Sequence, residues 1–388
     1  MQNTPALRSR LLIGAVAAGI AFGFAAPEWT PRLKPVADGF VTLLGWLAGP
    51  LLFCMLAASA ARLREGPRLG RAGLLALPYF ALTALASLAL GMLVAWVLEP
   101  GAGLELAAQR PAVDRAFVAP ALPALHLNVL LLLCALPCGL LAQTAPGARA
   151  AIEHARRHLL RAVELLLALS PLAAFCAMSH VVGQYGLRAL LPLLAFVVAV
   201  NLASILFVVF GLGTALRLAG VALGGLLRYL RRELLLVFVT GSSLAGLAPL
   251  ARRLEQLGCP APLTGLVLPL SYSLNLTGTY VYLGTGIVFL AQAARVALSW
   301  PDLLAIAGVA LVTSRTAASV AGSGFATLAA TLAVLQIVPA ESVALLLGID
   351  RTMKCRLLTN VFGHGVACIV LAAGCRGLDR ATLERELG

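Results

Sequence analysis

The chain has 388 residues, 61% hydrophobic and 12% charged, with 29 Lys and Arg against 16 Asp and Glu. Soluble globular domains carry about 25% charged residues, so this composition excludes water as the main solvent. The basic excess sits in short connections between apolar runs, which is the positive-inside pattern of membrane proteins and argues against nucleic acid as a partner.

Crossing a hydrocarbon core of about 30 Å takes about 20 apolar residues in a helix. Runs that approach or reach this length lie at 11–26, 39–61, 72–98, 125–143, 159–182 and 189–215. The first follows Arg8 and Arg10 and is short and Ala-rich, like a signal peptide, but it reads as a retained span. With Arg8 and Arg10 in the cytoplasm, Arg62, Arg64, Arg68 and Arg71 fall there too, and so do Arg149, Arg156, Arg157, Arg161, Arg217, Arg228, Arg231 and Arg232. The longest loop, 99–124, holds Pro100, Gly101, Pro111, Pro120 and Pro123, is poorer in Arg and belongs on the other side. An even number of crossings returns Arg376, Arg380 and Arg385, so both termini are expected in the cytoplasm of a multi-pass inner-membrane protein.

Eight cysteines, at 54, 134, 138, 176, 259, 355, 368 and 375, show no CxxC pair. They lie mostly inside apolar runs and read as packing residues. Cys134 and Cys138 share a helical face without a His or carboxylate beside them, so no metal site is expected.

Residues 1–215 therefore form a six-helix half without a catalytic constellation, and from 216 to 388 the pattern changes. Apolar segments there are interrupted by Gly, Ser, Thr and Ala, first at 239–249 and again at 313–324. The arms beside these breaks hold about ten to thirteen residues, which at 1.5 Å per residue reach only about half way across a bilayer. Backbone that turns back at that depth needs protein or a water-filled cavity around it, so two re-entrant hairpins are expected. Such small-residue clusters also serve close helix packing. Here a long span follows each one, at 262–293 and 341–373, and each span carries polar residues at mid-length. A hairpin-plus-helix unit occurring twice with opposite entry sides predicts an inverted repeat whose tips meet near the midplane.

In the last span Arg356, Asn360 and His364 recur every four residues and share one helical face over about 12 Å. An Arg at membrane depth needs a partner, and a planar guanidinium matches a carboxylate through two parallel hydrogen bonds. An internal salt bridge is the alternative to a visiting anion. Its one nearby candidate, Asp350, stands six residues away on the same helix, so its side chain is expected to point elsewhere. His364 would add a group able to titrate near neutrality, or would be a neutral histidine bonded inside the bundle. In the seventh span Ser271, Ser273, Asn275, Thr277 and Thr279 form a polar run, and Asn275-Leu-Thr-Gly-Thr279 has a composition suited to local unwinding.

These stretches resemble the dicarboxylate/amino acid:cation symporter family. The likeness rests on Ser271-Tyr-Ser-Leu-Asn-Leu-Thr-Gly-Thr-Tyr280, Ala321-Gly-Ser-Gly-Phe325, Gly348-Ile-Asp-Arg351 and Leu358-Thr-Asn-Val-Phe-Gly363, and it is closest to the bacterial C4-dicarboxylate branch. It implies an all-α fold of eight transmembrane helices and two re-entrant hairpins, working as an elevator in a homotrimer. Helices one, two, four and five would form the scaffold, with helices three and six joining the core at 216–388. It further implies that Arg356 and Asn360 hold substrate, with Thr279, Ser242, Ser243 and the tip Val320, Ala321, Gly322, Ser323 and Gly324 around it. Asn275, Thr277, Asn360, His364, Ser271 and Ser273 would then form the cation or proton site.

The sequence departs from the family pattern at Thr277, where the family carries an Asp, and at His364, where it often carries an acid or Asn. A neutral hydroxyl offsets cation dehydration poorly, so protons stand beside Na⁺ as the coupling ion. No other cofactor is expected, and no nucleophile–base pair suggests an enzyme. The expected function is secondary transport of small organic anions, C4-dicarboxylates first. The alternatives are a transport-impaired homologue acting as a receptor or partner, and an acidic amino-acid symporter.

Overall fold

The computed structural model describes residues 4–61, 71–102, 104, 134–135, 137–139, 141–142, 145–241, 243, 246–314, 323–338, 340–347 and 349–387. Among them every regular element is helical. Helix α1 covers Thr4–Ala25, α2 Lys34–Ala61, α3 Arg71–Leu98, α4 Pro146–Ala168 and α5 Ser170–Tyr185. Helix α6, Leu190–Leu206, passes through a wider π turn at Phe207–Leu212 into α7, Gly213–Leu218. Then come α8 Leu223–Tyr229, α9 Arg231–Thr240, α10 Leu247–Gln256, α11 Ala261–Leu274 and α12 Thr277–Ala293. The chain closes with α13 Trp300–Thr313, α14 Ser323–Leu335, α15 Ala344–Leu347, α16 Cys355–Gly374 and α17 Arg380–Leu387.

Four stretches of the described residues are long and apolar enough to cross a membrane: Gly73–Leu98, Leu190–Leu218, Ala261–Ala293 and Cys355–Gly374. The first three coincide with the expected third, sixth and seventh spans, and α1 and α2 cover the expected first and second. Most of the expected fourth span, 125–143, lies outside the described residues.

Two spans differ from expectation. The fifth, expected at 159–182, is two helices meeting at Leu169, because Pro171 in the first turn of α5 has no N–H to continue the ladder of α4. The eighth, expected from 341, begins only at Cys355. Before it, α15 spans four residues, Asp350–Thr352 forms a 3₁₀ turn and Met353 (φ −84°, ψ 65°) leaves helical geometry.

Both interrupted regions have the expected short arms. Helices α9 and α10 hold ten residues each, about 15 Å at 1.5 Å per residue, and Gly241 closes α9 in the left-handed region (φ 63°, ψ 22°). Helix α10 buries Leu250 and Leu254 and exposes Arg252. Helices α13 and α14 hold 14 and 13 residues, and Thr313 Oγ1 lies 2.7 Å from Thr331 Oγ1 between them.

Helix α12 is the centre of the fold, with every residue except Gln292 buried. Small residues let α3 approach it: a Cβ at Gly91 would strike the Val281 carbonyl, and one at Gly284 the Leu88 carbonyl. Gln292 ties α12 to α3 and to the turn after it, donating from Nε2 to the Ala95 carbonyl at 2.9 Å and accepting from the Gly101 N–H at 3.0 Å. Outward, Leu74, Leu77, Leu82 and Trp96 of α3 and Leu191, Leu194, Val198 and Ile205 of α6 are exposed. An apolar surface of that extent suits lipid as its solvent.

Candidate functional site

The span Ala261–Ala293 is broken in its middle, as the Asn-Leu-Thr-Gly-Thr composition predicts. Asn275 (φ −119°, ψ 62°) and Leu276 (φ −93°, ψ 60°) leave helical geometry, so α11 ends and α12 restarts inside the protein. That restart leaves buried N–H groups that need acceptors. Asn360 of α16 meets them: its Oδ1 accepts from the N–H of Gly278 at 2.8 Å and of Thr279 at 3.3 Å. Its Nδ2 donates to Thr279 Oγ1 at 3.2 Å. Gly278 is required for this contact, since a Cβ there would run into the Arg356 carbonyl.

The polar face of α16 is also as predicted, with Arg356, Thr359, Asn360 and His364 all buried. His364 is fully buried; its Nδ1 lies 2.7 Å from Ser271 Oγ, and its ring stacks on Tyr272 at 4.1 Å between centroids. Thr277 Oγ1 donates to the Thr359 carbonyl at 3.4 Å, and Asn275 Nδ2 to the Gly363 carbonyl at 3.5 Å. The oxygens gathered here on Asn275, Thr277 and Thr359 are neutral ligands of the kind hard cations accept. Ser273 is exposed, because two positions along a helix from Ser271 is nearly the opposite face.

Both interrupted regions reach this centre. The Ser243 carbonyl, in the turn after α9, accepts from the Tyr272 hydroxyl at 2.5 Å. Lys354 Nζ donates to the Phe238 carbonyl of α9 at 3.1 Å, just before α16 starts. From the other region, Gly324 in the first turn of α14 lies against the Arg356 guanidinium so closely that a Cβ would coincide with Nη1. Tyr280 Oη lies 2.6 Å from Ser314 Oγ at the end of α13. Ser242, Val320, Ala321 and Gly322 lie outside the described residues, and Ser323 is described only as the first residue of α14. Whether the two tips meet lies outside the described residues.

The expectation that Asp350 points away from Arg356 is overturned. Arg356 Nη1 lies 3.3 Å from Asp350 Oδ1, with both side chains buried. The two do not share a helix, because the 3₁₀ turn and the kink at Met353 fold Asp350 back beside α16. The contact is long for an ionic hydrogen bond, which is about 2.7–2.9 Å, and it engages one N–H of the five that a guanidinium offers. The Tyr282 ring lies 5.0 Å from the Arg356 Cζ.

The sequence profile of the sodium:dicarboxylate symporter family matches residues 9–373. The chain belongs to that family. It is 35% identical to C4-dicarboxylate transport protein 1 of Ralstonia nicotianae over 97% of this chain and 94% of that protein. It is 35% identical to a C4-dicarboxylate transport protein of Burkholderia pseudomallei over the same shares, and 37% identical to one of Cupriavidus pinatubonensis over 96% and 93%. A symporter-family chain is a transporter and not an enzyme, which agrees with the absence of a nucleophile–base pair in its sequence.

Within this symporter-family fold one site residue escaped the sequence reading. Thr83 of α3 lies with its Oγ1 2.8 Å from Asn275 Oδ1. A signal existed, since Thr83 and Ser87 are polar positions one turn apart in an otherwise apolar span, and both are buried.

Proposed function

We propose that the protein is an inner-membrane symporter of C4-dicarboxylates in which Arg356 receives one substrate carboxylate. The observation that carries this reading is a buried guanidinium lodged against Gly324, where the backbone offers no side chain and where the second interrupted region ends. A planar fork in that position suits a carboxylate entering beside the α14 N-terminus. Thr279 and Ser243 border the same centre through the Asn360 and Tyr272 contacts. The relatives named as C4-dicarboxylate transport proteins support the substrate class.

In this reading α9–α10 and α13–α14 are re-entrant hairpins, the core slides as an elevator in a homotrimer, and both termini are cytoplasmic. The coupling ion is Na⁺ or a proton. Neutral oxygens around Asn275 and Thr277 and the buried Ser271–His364 contact are the candidate places for it.

The test is uptake of labelled succinate, fumarate and malate into proteoliposomes under separately imposed Na⁺ and proton gradients. Gradient-driven, saturable uptake that Arg356→Ala abolishes supports the reading; undiminished uptake by that variant rejects it. The Asp350–Arg356 contact favours a second reading, a transport-impaired homologue whose arginine is permanently satisfied and which serves as a receptor or partner. That reading requires that no exchange of labelled for unlabelled dicarboxylate occurs.

A further inference from the structure

We propose that Asp350 is an internal stand-in for the substrate: its carboxylate occupies Arg356 when the carrier is empty and gives way when a dicarboxylate binds. This rests on the symporter reading above and deepens it by naming what keeps the site neutral on the return half of the cycle.

A carrier must change its facing both loaded and empty. Arg356 and Asp350 are 6% and 3% exposed, so either charge alone would be a buried, uncompensated ion, which is strongly unfavourable. Paired, they let the empty site remain closed. The pair is also built to open. One N–H reaches one oxygen at 3.3 Å, so a free carboxylate engaging two N–H groups in parallel forms the better contact. The partners sit on separable elements, Asp350 on a three-residue 3₁₀ turn and Arg356 in the first turn of α16, with the non-helical Met353 between them.

A second observation supplies the place where the displaced carboxylate goes. The Tyr282 hydroxyl is fully buried, makes no hydrogen bond of ordinary length, and faces Asp350 both as a charge and as a hydrogen-bond acceptor. A buried unpaired donor is costly unless another state of the protein uses it. When substrate holds Arg356, Asp350 turns to Tyr282. The carboxylate freed in this way adds a negative charge to the loaded site, which the co-transported cation offsets. Tyr282 and Arg356 both face Asp350.

The experiment uses the full chain in proteoliposomes with labelled succinate, measuring net uptake into succinate-free vesicles and exchange into succinate-loaded ones. Asp350→Asn is expected to lower the ratio of net uptake to exchange at least about tenfold, because the empty return strands Arg356, and to lower the half-saturation concentration. Tyr282→Phe keeps the ring but removes the hydroxyl, and is expected to raise the half-saturation concentration. Asp350→Glu, which restores a carboxylate, is expected to recover net uptake. Should Asp350→Asn misfold, as judged by size-exclusion profile, the opposite shifts of Tyr282→Phe and the recovery in Asp350→Glu still decide the matter. An unchanged ratio and half-saturation in Asp350→Asn, or equal loss of exchange and net uptake in a folded variant, overturns the stand-in role and leaves the symporter reading intact. Absence of both activities in the unaltered protein overturns the symporter reading itself.

Discussion

Gly324 and Arg356 claim the same space: the position a Cβ would take on Gly324 is filled by Nη1 of the arginine. The first turn of α14 can therefore approach α16 only with glycine at that position. Gly324→Ala should push the guanidinium out of place while leaving every other contact of α14 available. Losing one hydrogen bond to a charged carboxylate costs about 1.5–3 kcal/mol, so succinate affinity should fall roughly 10- to 150-fold. Binding measured by calorimetry, with thermal stability within a few degrees of the parent, checks this.

Asn360 serves the fold as well as any ligand, because its side chain caps the restart of α12. Asn360→Ala should destabilise the protein by about 0.5–2 kcal/mol, the range for removing an N-cap. Asn360→Asp keeps an acceptor at a helix N-terminus, where negative charge is favourable, and should regain most of that stability. A thermal-shift series in detergent separates the two; equal loss in both variants would contradict the capping role.

Thr83→Val replaces a hydroxyl by an isosteric methyl and leaves Asn275 Oδ1 without its 2.8 Å neighbour. A buried acceptor so orphaned costs about 1–3 kcal/mol. The expected result is a lower melting temperature together with a changed ion dependence of uptake, since Asn275 sits at the break in the span. A drop in melting temperature with unaltered ion dependence would confine Thr83 to a structural role.

Gly284→Val tests the α3–α12 contact. The obstacle is the Leu88 backbone carbonyl, which has no rotamer to retreat into. Overpacking a core position costs about 1–3 kcal/mol when side chains can yield, and should exceed that here. Fluorescence-detected size exclusion should show loss of the monodisperse peak, whereas Gly308→Val, where a Cβ would meet open space, should leave it intact.

Much of this protein was legible before any coordinates. Apolar runs, short arms and helix-breaking clusters act over a few residues, so hydropathy and local composition located three of the four long spans, both interrupted regions and the break at Asn275. The four-residue spacing of Arg356, Asn360 and His364 likewise fixed their shared face, because helix geometry alone dictates it. What local pattern does not carry is the partner each polar group finds. Thr83 and Asn275 stand 192 positions apart and meet only because glycines let α3 press onto the broken span. Asp350 reaches Arg356 because a 3₁₀ turn ends before α16 begins, a boundary that hydropathy does not mark. In a membrane-buried core every polar group must be satisfied from within, so tertiary structure decides which residues satisfy which, and with it where the functional site lies.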